Sequence, residues 1–296
     1  MSAAAHDEAL VKVQDLSFRY PRAGEPTLRG LSFALAAGEI YGFLGPSGAG
    51  KSTTQKILYR LLPGYSGSVM IEGREIREWG PELYTRTGIG FETPNLYQKL
   101  TGRENLAFAV SLHRCHPMPD VDAAAERLGL TAALDKRVEQ YSKGMRMRLA
   151  FIRAVLHRPA LLFLDEPTSG LDPLWSRRVK DWILELKEQG TAVFLTTHAM
   201  ELADELCDTV GFLVDGTLAV QDNPGTLKRE HGHPGCVVTG RDASGAPCRR
   251  EISYRELQTA APLHEFSVVE SVITGEQTLE QVFLRVTGRS LTGQEQ

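Results

Sequence analysis

Three groups of side chains in this 296-residue sequence have types and spacings suited to phosphate chemistry. Gly45 to Ser52, GPSGAGKS, fits the pattern G-x-x-x-x-G-K-[ST]. Gly45, Gly48 and Gly50, with Pro46, Ser47 and Ala49 between them, let backbone N–H groups converge on an anion at the positive end of a helix. Lys51 then reaches the β and γ phosphates and the Ser52 hydroxyl ligates Mg²⁺, and Thr53 is counted with the phosphate-binding set. In the second group, LLFLDE (Leu161 to Glu166), an apolar run ends in two carboxylates. Asp165 would hold Mg²⁺, often through water, and Glu166 would polarise an attacking water as general base; the alternative is two acids capping the turn before PTSG. The third is His198, closing the apolar run AVFLTTH, a position where a histidine read alone is more often structural.

These residues need a scaffold, and the hydrophobic pattern outlines one. EIYGFLG (Glu39 to Gly45) predicts a short buried strand feeding the glycine loop, and TTQKILYRLL a helix with Ile57, Leu58, Leu61 and Leu62 on one face. LLFLDE and AVFLTTH read as buried parallel strands around a helix that sets Trp175, Val179, Trp182, Ile183 and Leu186 to one side. Leu10 to Tyr20 reads as a half-buried strand with one change of phase, at an antiparallel edge, and Asp215-Gly216 between apolar runs marks a hairpin. From about Pro94 to His157 the pattern is helical, with a last helix from near Lys143 that must end before Pro159. After NPG (Asn223 to Gly225) the composition turns loop-like, HGHPG reads as a turn rather than a metal site, EFSVVESVI as a strand and TLEQVFLRV as a short amphipathic helix.

Composition sets limits. With 33 basic against 37 acidic residues and a net charge of −4, nothing attracts nucleic acid in bulk. No run of about 18 uninterrupted apolar residues occurs and the start lacks signal-peptide character, so neither a membrane span nor export is expected. Cys115, Cys207, Cys236 and Cys248 lack CxxC spacing, leaving zinc unsupported and reduced thiols as the default.

Between the glycine loop and the acid pair lies YSKGMRMRL (Tyr141 to Leu149), which resembles the signature motif of ABC-type ATPases, usually Leu-Ser-Gly-Gly-Gln. SGLD (Ser169 to Asp172), His198, and Tyr20, placed like the aromatic that stacks on adenine, stand in the family's order over about residues 10 to 225. The resemblance implies an α/β P-loop NTPase (RecA-like) core with an antiparallel β edge, an inserted helical subdomain and a small α+β C-terminal domain. Its divisions would be residues 8–225, with the helical part at about 94–158, and residues 226–296. It also implies ATP and Mg²⁺ as cofactors and a γ-phosphate contact for His198. One subunit's signature loop, here Ser142, Lys143 and Gly144 with Asp172 nearby, would face nucleotide on the opposite subunit of a homodimer. The sequence departs from the signature at Tyr141, Lys143 and Met145; the Lys143 side chain either attracts phosphate or is solvated.

GFETPNLY (Gly90 to Tyr97) occupies the slot where the family usually carries a glutamine that reaches Mg²⁺ and the attacking water. Here the residue is Glu92. Its carboxylate serves a hard cation as an amide oxygen would, but adds a third acid beside Asp165 and Glu166. Either Mg²⁺ compensates that charge or one carboxyl holds its proton more strongly; read alone, Glu92 is a solvated loop acid.

With no membrane segment expected, the chain looks like the nucleotide-binding subunit of a transporter, held at the cytoplasmic face of the membrane by a separate permease. The tail TLEQVFLRVTGR is similar to the segment ending daunorubicin-resistance-type exporter ATPases, and FETPNLYQKLTGRENL to multidrug-export ATPases, which favours drug export over lipid or polysaccharide export. A soluble ABC ATPase acting on DNA or ribosomes would typically show two ATPase halves or a long coiled coil; neither is visible.

Overall fold

The computed structural model describes residues 9–113, 118–231, 235–253, 264–274 and 277–289. Cys115 and most of HGHPG lie outside them.

The N-terminal strand β1 (Ala9–Phe18) pairs antiparallel with β2 (Leu28–Ala36) and β4 (Ser66–Ile71), and β5 (Arg74–Glu75) completes a four-stranded sheet in the order β2-β1-β4-β5. The antiparallel part is therefore a layer of its own, with β1 inside it. The phase change in β1 is a bulge: Asp15 takes φ 50° and the register shifts between Val13 and Leu16.

The second sheet, ordered β10-β9-β3-β8-β7-β6, holds β3 (Ile40–Leu44), β6 (Thr87–Gly90), β7 (Leu161–Asp165), β8 (Ala192–Thr197), β9 (Thr209–Val214) and β10 (Thr217–Asp222). All neighbours are parallel except the β9–β10 hairpin, which turns at Asp215-Gly216 as expected. Both faces are covered, and the strand period of two divides each strand between two cores. Tyr41, Phe43, Phe163 and Phe194 pack toward the antiparallel sheet, while Ile40, Leu44, Leu162, Leu164, Val193 and Leu195 pack toward the helices.

Helix α1 (Lys51–Leu58) follows β3, and α2 (Leu83–Arg86) precedes β6. Then come α3 (Gly102–His113), α4 (Val121–Arg127) and α5 (Lys143–Val155), between β6 and β7; α6 (Pro173–Glu188) and α7 (Met200–Leu206) flank β8. α1 is shorter than expected. Arg60 enters the left-handed region at φ 63°, which ends the helix before Leu61 and Leu62 and leaves Leu61 57% exposed. Asn223-Pro224-Gly225 is also not a simple break: Pro224 opens helix α8 (Pro224–His231), where a missing N–H costs nothing.

Strands β11 (Gly235–Arg241), β12 (Pro247–Ser253) and β13 (Val268–Thr274) form a third sheet with a small core of Cys236, Val238, Ile252 and Phe266. Helix α9 (Leu279–Thr287) starts with a Thr278/Gln281 capping box. It buries Leu279, Val282 and Phe283 in the main helical core, not against that sheet, with the Phe283 ring 5.1 Å from Phe212 of β9.

At the end of α3, His113 stacks on His157 with ring centroids 3.7 Å apart and planes 11° from parallel. His157 Nε2 meets the Thr87 carbonyl at 3.0 Å, and the Nδ1 of each ring is buried without a hydrogen-bond partner among the described residues. Burial, then the neighbouring His113, pushes His157 from 6.5 down to about 4. Burial also lowers His113. The folded chain thus keeps the pair neutral, so its stabilising contribution is complete above 6.5 and is lost as pH falls toward about 4. Urea unfolding across this window should show the wild type losing more stability on acidification than His157→Asn, which does not titrate; equal losses would acquit the pair.

Candidate active site

The strand order determines where the chemical groups meet. β3, β8 and β7 are adjacent and parallel, so the glycine loop after β3, the acid pair at the end of β7 and His198 after β8 emerge at one edge.

The loop is shaped by close approach. A Cβ on Gly45 would lie 2.2 Å from the Leu213 carbonyl oxygen, and Gly48 and Gly50 take φ 82° and 111°. The Asp215-Gly216 turn supports it from behind: Gly216 N–H donates to the Ala49 carbonyl at 3.1 Å, and Arg289, just past α9, pairs with Asp215 at 2.7 Å. Lys51 Nζ donates to the carbonyls of Gly45 (2.5 Å) and Pro46 (3.0 Å). Burial lowers its pKa, against the raising effect of Glu166, Asp165 and Glu92.

Asp165 sits opposite Thr196 in the β7–β8 ladder, and its Oδ1 accepts from the Thr196 hydroxyl at 2.6 Å. Burial raises the Asp165 pKa; Glu166 and Glu92 add to this, while the Thr196 hydroxyl and Lys51 oppose it. Glu166 is only 8% exposed and takes φ 49°, a strained backbone held by its N–H to the Thr196 carbonyl at 2.9 Å. Its Oε2 accepts from the Thr197 hydroxyl at 2.9 Å, and its Oε1 from His198 N–H at 2.8 Å, with His198 Nδ1 at 2.6 Å. The His198 side chain itself is 68% exposed.

These residues surround a cavity of about 500 Å³ lined by Ser47, Gly48, Gly50, Lys51, Ser52, Thr53, Glu92, Asp165, Glu166 and His198. Gly45, Pro46 and Ala49 shape its loop without lining it. Tyr20 stands beside the loop, its hydroxyl 3.2 Å from Thr53 Oγ1 and its ring edge-on to Phe18. Ser52, Asp165 and Glu92 supply hard oxygen donors of the kind Mg²⁺ takes. Among the described residues no three His, Cys, Asp or Glu side chains form a self-contained metal site, so the remaining oxygens would come from water or phosphate.

Ser142, Lys143, Gly144 and Asp172 are not brought to this cavity. Ser142 caps α5 by accepting from Met145 N–H at 3.2 Å, and Asp172 caps α6 through Leu174 and Trp175. The Lys143 side chain lies over Gly170, and Gly144 packs near Gly170 and Leu171. Tyr141 is buried, and its hydroxyl donates to the Ala133 carbonyl at 2.6 Å, which satisfies the extra polar atom of this departure from the signature.

Sequence reasoning passed over Gln55, Thr196 and Thr197. The available signal was polar side chains at core phases: both threonines end a strand buried along its whole length, and Gln55 is 3% exposed in α1.

A family model described as "ABC transporter" matches residues 28–169. A fluoroquinolones export ATP-binding protein of Mycobacterium tuberculosis is 46% identical over 286 residues, covering 96% of this chain and 95% of that protein. The chain belongs to the ABC transporter ATP-binding proteins. A bacitracin transport ATP-binding protein of Bacillus licheniformis is 36% identical over 71% of this chain and 68% of its own length. A solved ATP-binding subunit of an ABC transporter superposes with TM-score 0.68 at 30% identity, covering 75% of this chain and 93% of that one. As an ABC ATP-binding protein, the chain binds ATP, hydrolyses it to power transport, and works with membrane components.

Proposed function

We propose that the chain is the ATPase subunit of a drug exporter, with hydrophobic compounds as the exported class. Similarity at 46% identity along nearly the whole length of a protein named for fluoroquinolone export carries this reading.

The residues take roles in that scheme. The glycine loop from Gly45 through Thr53 cradles the phosphates, and Lys51 exchanges its bonds to the Gly45 and Pro46 carbonyls for phosphate oxygens. Ser52, Asp165 and Glu92 would hold Mg²⁺, which compensates phosphate charge when bound. Glu166 takes the proton of the attacking water, with His198 beside it and facing the γ-phosphate, and Tyr20 carries adenine. Ser142, Lys143, Gly144 and Asp172 do not line this cavity, which leaves them free to serve the partner's site in a homodimer where each chain completes the other's.

Residues 8–225 form the ATPase unit in this reading, with the helical part at about 94–158, and 226–296 an accessory unit. The membrane contact falls on a groove of about 780 Å³ where residues 95–97 meet α3 and α5, with Tyr84, Tyr97, Phe108 and Leu112 exposed in it. No helix among the described residues is long and apolar enough to cross a membrane. In this reading the groove receives a segment of a separate permease, and the subunit works at the cytoplasmic face of the membrane. Glu92 links the two regions: it lines the nucleotide cavity, and three residues later the Asn95 carbonyl accepts from Arg153 of α5.

Cells expressing the chain with its membrane partner should retain less of a fluorescent hydrophobic drug than cells with Glu166→Gln. That variant should form an ATP-dependent dimer by light scattering; unaltered efflux, or a strict monomer with ATP, would overturn the scheme. Glu92→Gln should keep measurable ATPase activity, whereas Glu92→Ala should raise the Mg²⁺ concentration for half-maximal rate by roughly tenfold. An unchanged Mg²⁺ titration in the Ala variant would return Glu92 to a solvated loop.

A further inference from the structure

We infer that Gln55 and Thr196 are positioning residues for Asp165: the amide fixes the direction of the hydroxyl, and the hydroxyl fixes the carboxylate. Gln55 enters from α1 and Thr196 from β8, and both are buried, at 3% and 0% exposure. The Gln55 Nε2 donates to the Leu164 carbonyl at 3.1 Å and to Thr196 Oγ1 at 3.0 Å. A backbone carbonyl only accepts, so this end of the amide must be the nitrogen, and both of its hydrogens are used.

The Thr196 hydroxyl has one hydrogen and two candidate acceptors, the Leu164 carbonyl at 3.3 Å and Asp165 Oδ1 at 2.6 Å. Gln55 already occupies a lone pair on both the carbonyl and the hydroxyl oxygen. The hydroxyl hydrogen therefore goes to the carboxylate, the much nearer of the two acceptors, in a short charge-assisted bond. Asp165 Oδ1 is thereby fixed, and Oδ2, which accepts no protein hydrogen bond among the described residues, is left for the cavity. Removing the amide would free the hydroxyl to turn toward Leu164; removing the hydroxyl would free the carboxylate to rotate. The inference rests on Asp165 holding the metal.

The test is Mn²⁺ affinity, read by electron paramagnetic resonance on the full chain with a non-hydrolysable ATP analogue. Thr196→Val, close in shape but without the hydroxyl, should weaken Mn²⁺ binding by roughly tenfold while Thr196→Ser stays near wild type, as expected for a group that orients a ligand. Gln55→Met should weaken it in the same direction but less. Analogue binding without metal should be unchanged in all three, which separates positioning from misfolding. Asp165→Asn is the control. If it weakens Mn²⁺ binding and Thr196→Val does not, or if Ser fails as badly as Val, the positioning role is overturned. If Asp165→Asn itself leaves Mn²⁺ affinity intact, the metal assignment is wrong and this inference falls with it.

Discussion

The chemistry of this chain depends on the register in which β7 and β8 run side by side. Asp165 faces Thr196 because Leu161 faces Ala192 at the other end of the ladder, and a slip of one residue would send each side chain to the opposite core. In the observed register two consecutive acids meet two consecutive threonines. Thr196 holds Asp165 through its hydroxyl and Glu166 through its carbonyl, and Thr197 holds the Glu166 carboxylate. The apolar residues upstream enforce this, since Leu162 and Leu164 belong to one core and Leu161 and Phe163 to the other.

That enforcement allows a costly local geometry. A non-glycine residue at positive φ is strained by about 1–3 kcal/mol, and burying a carboxylate adds to the burden. Glu166 bears both and is offset by hydrogen bonds from Thr197, His198 and its own amide, all anchored in β8 or just after it. The same strand therefore shapes the general base and orders its histidine neighbour.

Much of this was legible in the sequence because it rests on short-range rules. The glycine loop, the acid pair and the strand-end histidine each follow an apolar run, and period-two burial then brings them to one edge. The start of α5 and its end before Pro159, the hairpin at Asp215 and the bulge in β1 followed from turn and phase signals in the same way. What could not be read were facts of partnership. Nothing in TTQKIL says that Gln55 reaches Thr196, 141 positions later. Nor does composition say that Arg60 turns left-handed and ends α1, or that Tyr141 finds a carbonyl for its hydroxyl. The tail shows the same limit: its amphipathic face was evident, but the surface that receives it was not, because that surface is assembled from α7, α8 and the parallel sheet.

The position of α9 has a consequence for how the chain can be altered. Phe212, against which Phe283 rests, lies opposite Leu44, the residue immediately before the glycine loop, and Arg289 pairs with the turn that supports Ala49. The last helix is thus a buttress under the phosphate cradle, although it lies far away along the chain. Substitutions that loosen α9 would therefore disturb the phosphate cradle from behind.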